Sequence, residues 1–161
     1  MIDLTIEDDI ARVVLNAPEK RNSLDLGALQ ELTAAYTEAE AAGVRALLLT
    51  GEGRVFCAGR DISAVDPATD DAEGYLTGTL LPLMQQMSSF PAPTFAAVQG
   101  ACLGVGLGLV IATDVVYVAQ DAKIGSPFAA LGAILDSGGH ALFTERLGAH
   151  RTLDLIYTGE M

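Results

Sequence analysis

Asp136 stands in the segment GAILDSGGH, residues 132–140, directly after Ala133, Ile134 and Leu135. A charge beside an apolar run is costly unless something compensates it. Two roles fit a carboxylate placed there. Asp136, or Ser137 beside it, could N-cap a following helix, or Asp136 could serve as the acid–base group of an active site. Two glycine-bearing segments offer chemistry of another kind. In FCAGRD, residues 56–61, Gly59 permits an unusual turn that could aim the Arg60 N–H into a cleft. In GACLGVGLGLV, residues 100–110, Gly104, Gly106 and Gly108 fall where the pattern predicts a helix, at about 1 kcal/mol each relative to alanine.

Three readings of the glycine run compete. A dinucleotide fingerprint fails, because position 109 is leucine where G-x-G-x-x-G requires glycine. Close packing of a buried helix against a strand is the second. The third is a helix start whose free N–H groups face an anion. Paired with the N–H of Arg60, such a group would make an oxyanion hole. Neither G-x-S-x-G nor a Walker loop is present, and His140 and His150 have no metal-ligand pattern around them.

The elements that would position these residues follow from periodicity. IDLTI and IARVVL flank the acidic turn Glu7-Asp8-Asp9 and predict a hairpin. Leu26, Leu29, Leu32, Ala35, Tyr36 and Ala39 follow a helical period that Gly43 closes. RALLLTG, PAPTFAAVQG and DVVYVAQ read as strands, and NAPEKRNSL as a loop with Asn22 as a turn residue. Helices are expected at Tyr75–Ser89, Leu103–Ala112, Ala141–Leu147 and Arg151–Tyr157, with a short one between Lys123 and Gly139. The polar stretch Asp66–Glu73 reads as a solvated loop. Strands alternating with helices give the α/β class with crossover connections, in one domain over residues 1–161.

Composition narrows the function classes. Nine Lys and Arg against 21 Asp and Glu give a formal net charge of −12, which argues against general nucleic-acid binding and against an anionic membrane surface. Two widely spaced cysteines, Cys57 and Cys102, make neither a disulfide framework nor a zinc site. The start lacks the basic and apolar regions of a signal peptide, and the apolar stretch Ala101–Ala112 is too short to span a bilayer. A reduced, cytoplasmic enzyme or binding domain is expected.

FCAGRDI, RNSL and VQGACLGVGLGLVIATDVVYVAQDAKIG together resemble the crotonase, or enoyl-CoA hydratase/isomerase, superfamily. The resemblance runs from the first hairpin to the last residue. It implies a spiral of ββα turns and, beyond residue 161, a helical C-terminal region of about 100 residues that covers part of the acyl pocket and builds trimers, often paired into hexamers. It further implies an acyl-CoA thioester as substrate, with coenzyme A as part of that substrate and no separate cofactor. The thioester oxygen would sit between the N–H groups of Arg60 and Val105. Glycine or alanine is usual at the second position, so Val105 is a departure that narrows the space and leaves the N–H. The adenine and phosphate end would rest against KRNSL and Ala58–Ile62, which names Lys20, Arg21, Ala58, Gly59, Asp61 and Ile62.

A hydratase of this family uses two glutamates. They would align with Gly108 and Phe128, here acyl-pocket positions, and both acids are absent. Asp136 aligns with the catalytic aspartate of the phenylacetyl-CoA-pathway type of isomerase, which also lacks the two glutamates and carries a similar DSG segment. The resemblance therefore points to an enoyl-CoA isomerase using Asp136. A hydratase that positions water by another group and a non-catalytic acyl-CoA binder are the alternatives.

Overall fold

The structure, a computed structural model, describes residues 1–66, 68–126, 128–129, 132 and 134–161. The chain opens with the expected hairpin, β1 (Ile2–Glu7) against β2 (Ile10–Leu15). Asp8 and Asp9 both hold positive φ, 52° and 62°. That is the backbone a two-residue turn needs to match strand twist, and aspartate tolerates it. Helix α1 (Leu26–Ala41) starts where the Asp25 carboxylate accepts from the Ala28 N–H. It buries Leu29, Leu32, Ala35, Tyr36 and Ala39 of the helical stripe read from the sequence, with Ala28 added, while Leu26 at the first turn is exposed.

Strand β3 (Ala46–Gly51) lies parallel to β2, and β4 (Thr94–Val98) lies parallel to β3. With β6 (Val115–Val118) they make a five-stranded sheet in the order β1-β2-β3-β4-β6. Asp114 fastens the last strand: its Oδ2 accepts from both the N–H and the hydroxyl of Thr94, each at 2.8 Å. Beyond it β6 is an edge strand whose Val115, Val116, Tyr117 and Val118 are all exposed. Leu29, Leu32 and Tyr36 of α1 close one core with Val13, Leu15, Leu47 and Leu49.

A second, smaller sheet pairs β5 (Ala101–Leu103) with β7 (Lys123–Gly125), parallel. Isolated bridges Cys57↔Cys102 and Leu24↔Arg60 continue it. The two sheets and their crossing helices form the ββα spiral. Three expectations change here. The glycine-rich helix begins at Val105, not Leu103, because Ala101–Leu103 pairs as β5 and Gly104 turns the chain with φ 53°; α4 is Val105–Ile111. The helix expected from Tyr75 starts earlier, at α2 (Ala72–Tyr75), capped by Asp71, and continues through a π-helical stretch (Leu76–Leu80) into α3 (Leu81–Ser88). Within the span of the expected short helix, Lys123–Gly139, β7 occupies the start, and residues 127, 130, 131 and 133 lie outside the described residues. The last helix, α5 (Gly139–Thr158), breaks at Gly148, whose φ and ψ are 75° and 159°, so two helical pieces meet there as the sequence suggested.

One buried side chain ties the loops together. Asn22 is fully buried at a positive φ of 53°. Its Nδ2 donates to the carbonyls of Glu52, Val55 and Phe56 at 2.9, 2.7 and 3.1 Å, and its Oδ1 accepts from the Ala17 N–H at 2.9 Å. Asn22→Ala would orphan these groups and place alanine in left-handed backbone. The expected loss is about 3 kcal/mol of unfolding free energy, read as a lower urea midpoint at unchanged slope.

Candidate active site

Two loops meet because their residues lack bulk. Asn22 holds residues 52–56, and the strand that follows is zipped to its neighbour: Ala58 N–H donates to Arg21, and Leu24 N–H to Gly59, at 3.0 and 2.8 Å. Gly59 has φ 99°, and a Cβ there would lie 2.9 Å from the Leu103 carbonyl oxygen and 3.7 Å from the Val105 nitrogen. A Cβ on Gly106 would lie 2.7 Å from that of Cys57. Residues 57–60 and 103–106 therefore touch backbone to backbone. Among the described residues neither the Arg60 nor the Val105 N–H has a hydrogen-bond acceptor in the chain. Two donors on adjoining loops are left available to an oxygen.

The Arg60 side chain turns to a different task. Its guanidinium donates to both Asp70 oxygens, at 2.8 and 2.6 Å, and lies 4.0 Å from the centre of the Tyr75 ring. The end of the polar stretch, Asp70–Glu73, is thus latched rather than simply solvated: Asp70 pairs with Arg60 and Asp71 caps α2. The Tyr75 hydroxyl is buried without a partner among the described residues, and desolvation pushes its pKa up to about 12. Nothing in the sequence pattern announced this latch; an arginine and an aspartate ten residues apart carry no periodic signal.

The residues expected to meet coenzyme A lie along one edge. Lys20 and Arg21 are exposed around the turn Pro18–Lys20, and Ile62 is 70 % exposed. Ala58, Gly59 and Asp61 follow on the zipped strand, where Asp61 feels the charge of Lys20. The hydrogen bond from the Ser63 side chain is the main cause holding Asp61 below the usual carboxylate range.

Asp136 opens onto a cavity of about 550 Å³ between the π-helical stretch and the start of α5. Leu76, Leu80, Leu81, Phe128, Ile134 and Leu135 give it apolar walls. Asp136 is the one carboxylate among its described lining residues, and His140 stands exposed at the rim. Desolvation is the main cause raising the Asp136 pKa; the Ser137 hydroxyl and the charge of Arg60 oppose it. Ser137 Oγ donates to Asp136 Oδ1 at 2.7 Å. The capping role is not what the structure gives Asp136 or Ser137. The N-cap of α5 is Gly138, with no side-chain cap, while the Asp136 carbonyl accepts from the Gly139 N–H at 2.8 Å.

The two positions aligned with the usual glutamates part company. Phe128 lines the cavity and sits against the turn before α4, its ring 3.6 Å from where a Gly104 Cβ would be. Gly108 is buried beneath Ser137, off the described cavity wall. Both cysteines are buried, and desolvation raises their pKa, that of Cys57 to about 12, so neither thiol is a ready nucleophile. No group of three candidate metal ligands occurs among the described residues. The arrangement suits proton transfer to and from carbon beside a stabilised oxyanion.

Comparison with known proteins places this geometry. The family model for enoyl-CoA hydratase/isomerase matches residues 5–161. A Rhodobacter capsulatus protein named a probable enoyl-CoA hydratase is 38% identical over 160 residues, covering 96% of this chain and 60% of its own. The 1,2-epoxyphenylacetyl-CoA isomerase of Escherichia coli is 33% identical over 159 residues, covering 96% and 61%. The enoyl-CoA hydratase structure from Bacillus anthracis superposes with a TM-score of 0.89 at 30% identity, over 99% of this chain and 63% of that one. The chain spans about three fifths of the length of the curated relatives it matches. No described helix is long and apolar enough to cross a membrane. With the α/β spiral, the two abutting loops and the family match agreeing over nearly every residue, the chain belongs to the enoyl-CoA hydratase/isomerase family of the crotonase superfamily.

Proposed function

We propose that this protein binds an acyl-CoA thioester and moves the double bond of an enoyl-CoA, with Asp136 as the base. The carrying observation is the lone carboxylate in the apolar cavity, set where both usual glutamates are missing. The thioester oxygen sits between the N–H groups of Arg60 and Val105. Asp136 takes a proton from the carbon next to the thioester. The electron pair spreads over the 3,4 double bond and the carbonyl as a dienolate. Asp136 then returns the proton to the γ carbon, giving the conjugated 2-enoyl-CoA. One carboxylate serves both transfers if it reaches both carbons from one face. Each oxyanion donor is typically worth about 10²–10³-fold in rate, and a positioned acid–base group about 10²–10⁴-fold. Coenzyme A lies along Lys20, Arg21, Ala58, Gly59, Asp61 and Ile62, and the acyl chain enters past Phe128.

The test is product analysis with 3-enoyl- and 2-enoyl-CoA thioesters. Asp136→Asn keeps its fold and acyl-CoA affinity and loses isomerisation by roughly 10²-fold or more. A wild-type isomerase rate in that variant would refute the assignment, and 3-hydroxyacyl-CoA formed by the unaltered protein would mark a hydratase instead. Only the ionised carboxylate abstracts a proton, and burial raises its pKa. The kcat/KM profile therefore falls on the acid side with a midpoint above that of ordinary aspartate.

Gly108→Glu separates this reading from a damaged hydratase. A Cβ at 108 lies 2.5 Å from the Ser137 Cβ, so the glutamate displaces that residue. The expected result is a loss of about 1–3 kcal/mol of stability and lowered isomerisation, with no hydration gained. Thermal unfolding and the same product assay read both.

A further inference from the structure

Ser137 occupies an unusual place for a serine. It is 6% exposed and holds a φ of 54°, in the left-handed region that side chains seldom enter. Gly138 after it has φ 69°, and the Gly139 N–H closes the turn on the Asp136 carbonyl. Asp136, Ser137, Gly138 and Gly139 thus form a tight two-residue turn of mirror-image type. Glycine would occupy position 137 of such a turn without strain. Serine stands there instead, and its hydroxyl donates to the Asp136 carboxylate at 2.7 Å.

The room for Ser137 comes from α4. A Cβ built on Gly108 would lie 2.5 Å from the Ser137 Cβ, 3.1 Å from its carbonyl oxygen and 3.3 Å from its Oγ. Any side chain at 108 and the present place of Ser137 exclude each other. Gly108 is thus more than a vacant position: its missing side chain seats the residue that touches Asp136.

We infer that Ser137 is the positioning residue of the Asp136 carboxylate, and that Gly108 lacks a side chain in order to seat it. This rests on the reading of Asp136 as the base. The Ser137 hydroxyl fixes one carboxylate oxygen, Oδ1, and leaves Oδ2 outside that hydrogen bond. A donor to the charged form also favours ionisation and offsets part of the desolvation.

Carboxyl carbon NMR titration tests the inference, with the Asp136 signal assigned by its loss in Asp136→Asn. In Ser137→Ala the Asp136 midpoint moves up by about one pH unit, and the acid limb of kcat/KM moves with it. The kcat falls roughly tenfold, with KM little changed. Ser137→Gly gives the same shift and the same loss of rate while unfolding no more easily, because the positive φ is relieved. That variant separates the hydrogen bond from the integrity of the turn. Gly108→Ala, which keeps the hydroxyl but crowds it, also moves the midpoint upward. An Asp136 midpoint and acid limb unmoved in Ser137→Ala would overturn the inference. The titration is read whether or not Asp136 is the base, so its failure is distinct from failure of that reading, which shows as full isomerase activity in Asp136→Asn.

Discussion

A single buried amide organises the site. Asn22 satisfies three carbonyls and one N–H from two separate loops, in a place water does not reach. Buried backbone groups must find partners, and irregular loops cannot supply them to one another as strands do. The Asn22 side chain supplies them, so residues 52–56 leave β3 in one fixed path. The next residues, Cys57 to Arg60, then arrive in register with Leu24 on one side and Cys102 on the other. An oxyanion donor must be placed to within fractions of an ångström to favour a developing charge. For the oxyanion hole proposed above, the placement of the Arg60 N–H is inherited from an asparagine 38 positions earlier in the chain.

The second constraint is close approach. Gly59 and Gly106 let two backbone segments touch with no side chain between them, and Gly108 lets the 136–139 turn settle on the same helix. Helix α4 has two neighbours, Cys57 and Ser137, pressed onto bare backbone at Gly106 and Gly108, so its glycines cost helical stability and return geometry. Val105 fits this arrangement. It is buried, and its N–H lies at the helix start, where no intrahelical acceptor exists. A valine in place of the usual small residue leaves that donor free.

Much of the frame was legible because it is periodic. The hairpin, the α1 stripe and the strands β3, β4 and β6 appear where alternation and helical spacing place them. Asp136 and the two glycine loops were legible as motifs. What the sequence withheld is non-periodic. Three-residue strands such as β5 and β7 exist only through their pairing. Asn22 reads as an ordinary turn residue until its four partners are seen. The Asp66–Glu73 run has the composition of a solvated loop, yet Asp70 holds Arg60 and Asp71 begins a helix. Ser137 reads as a capping candidate beside Asp136. Only the gap over Gly108, two elements away, shows why it turns inward.

The Arg60–Asp70 pair also bears on the strength of Asp136 as the base proposed above. An unpaired arginine near a half-buried carboxylate would hold it ionised and make it a weak acceptor of protons. Burial alone would do the reverse and leave it protonated, unable to start. The Arg60 guanidinium gives its hydrogen bonds to Asp70, so its pull on Asp136 is muted, and desolvation remains the larger influence. Ser137 adds a single neutral donor, which favours the anion without a full opposing charge. In the proposed mechanism burial raises the pKa of Asp136 while Ser137 and Arg60 pull it back, the balance wanted of a base that draws a proton from carbon beside a thioester.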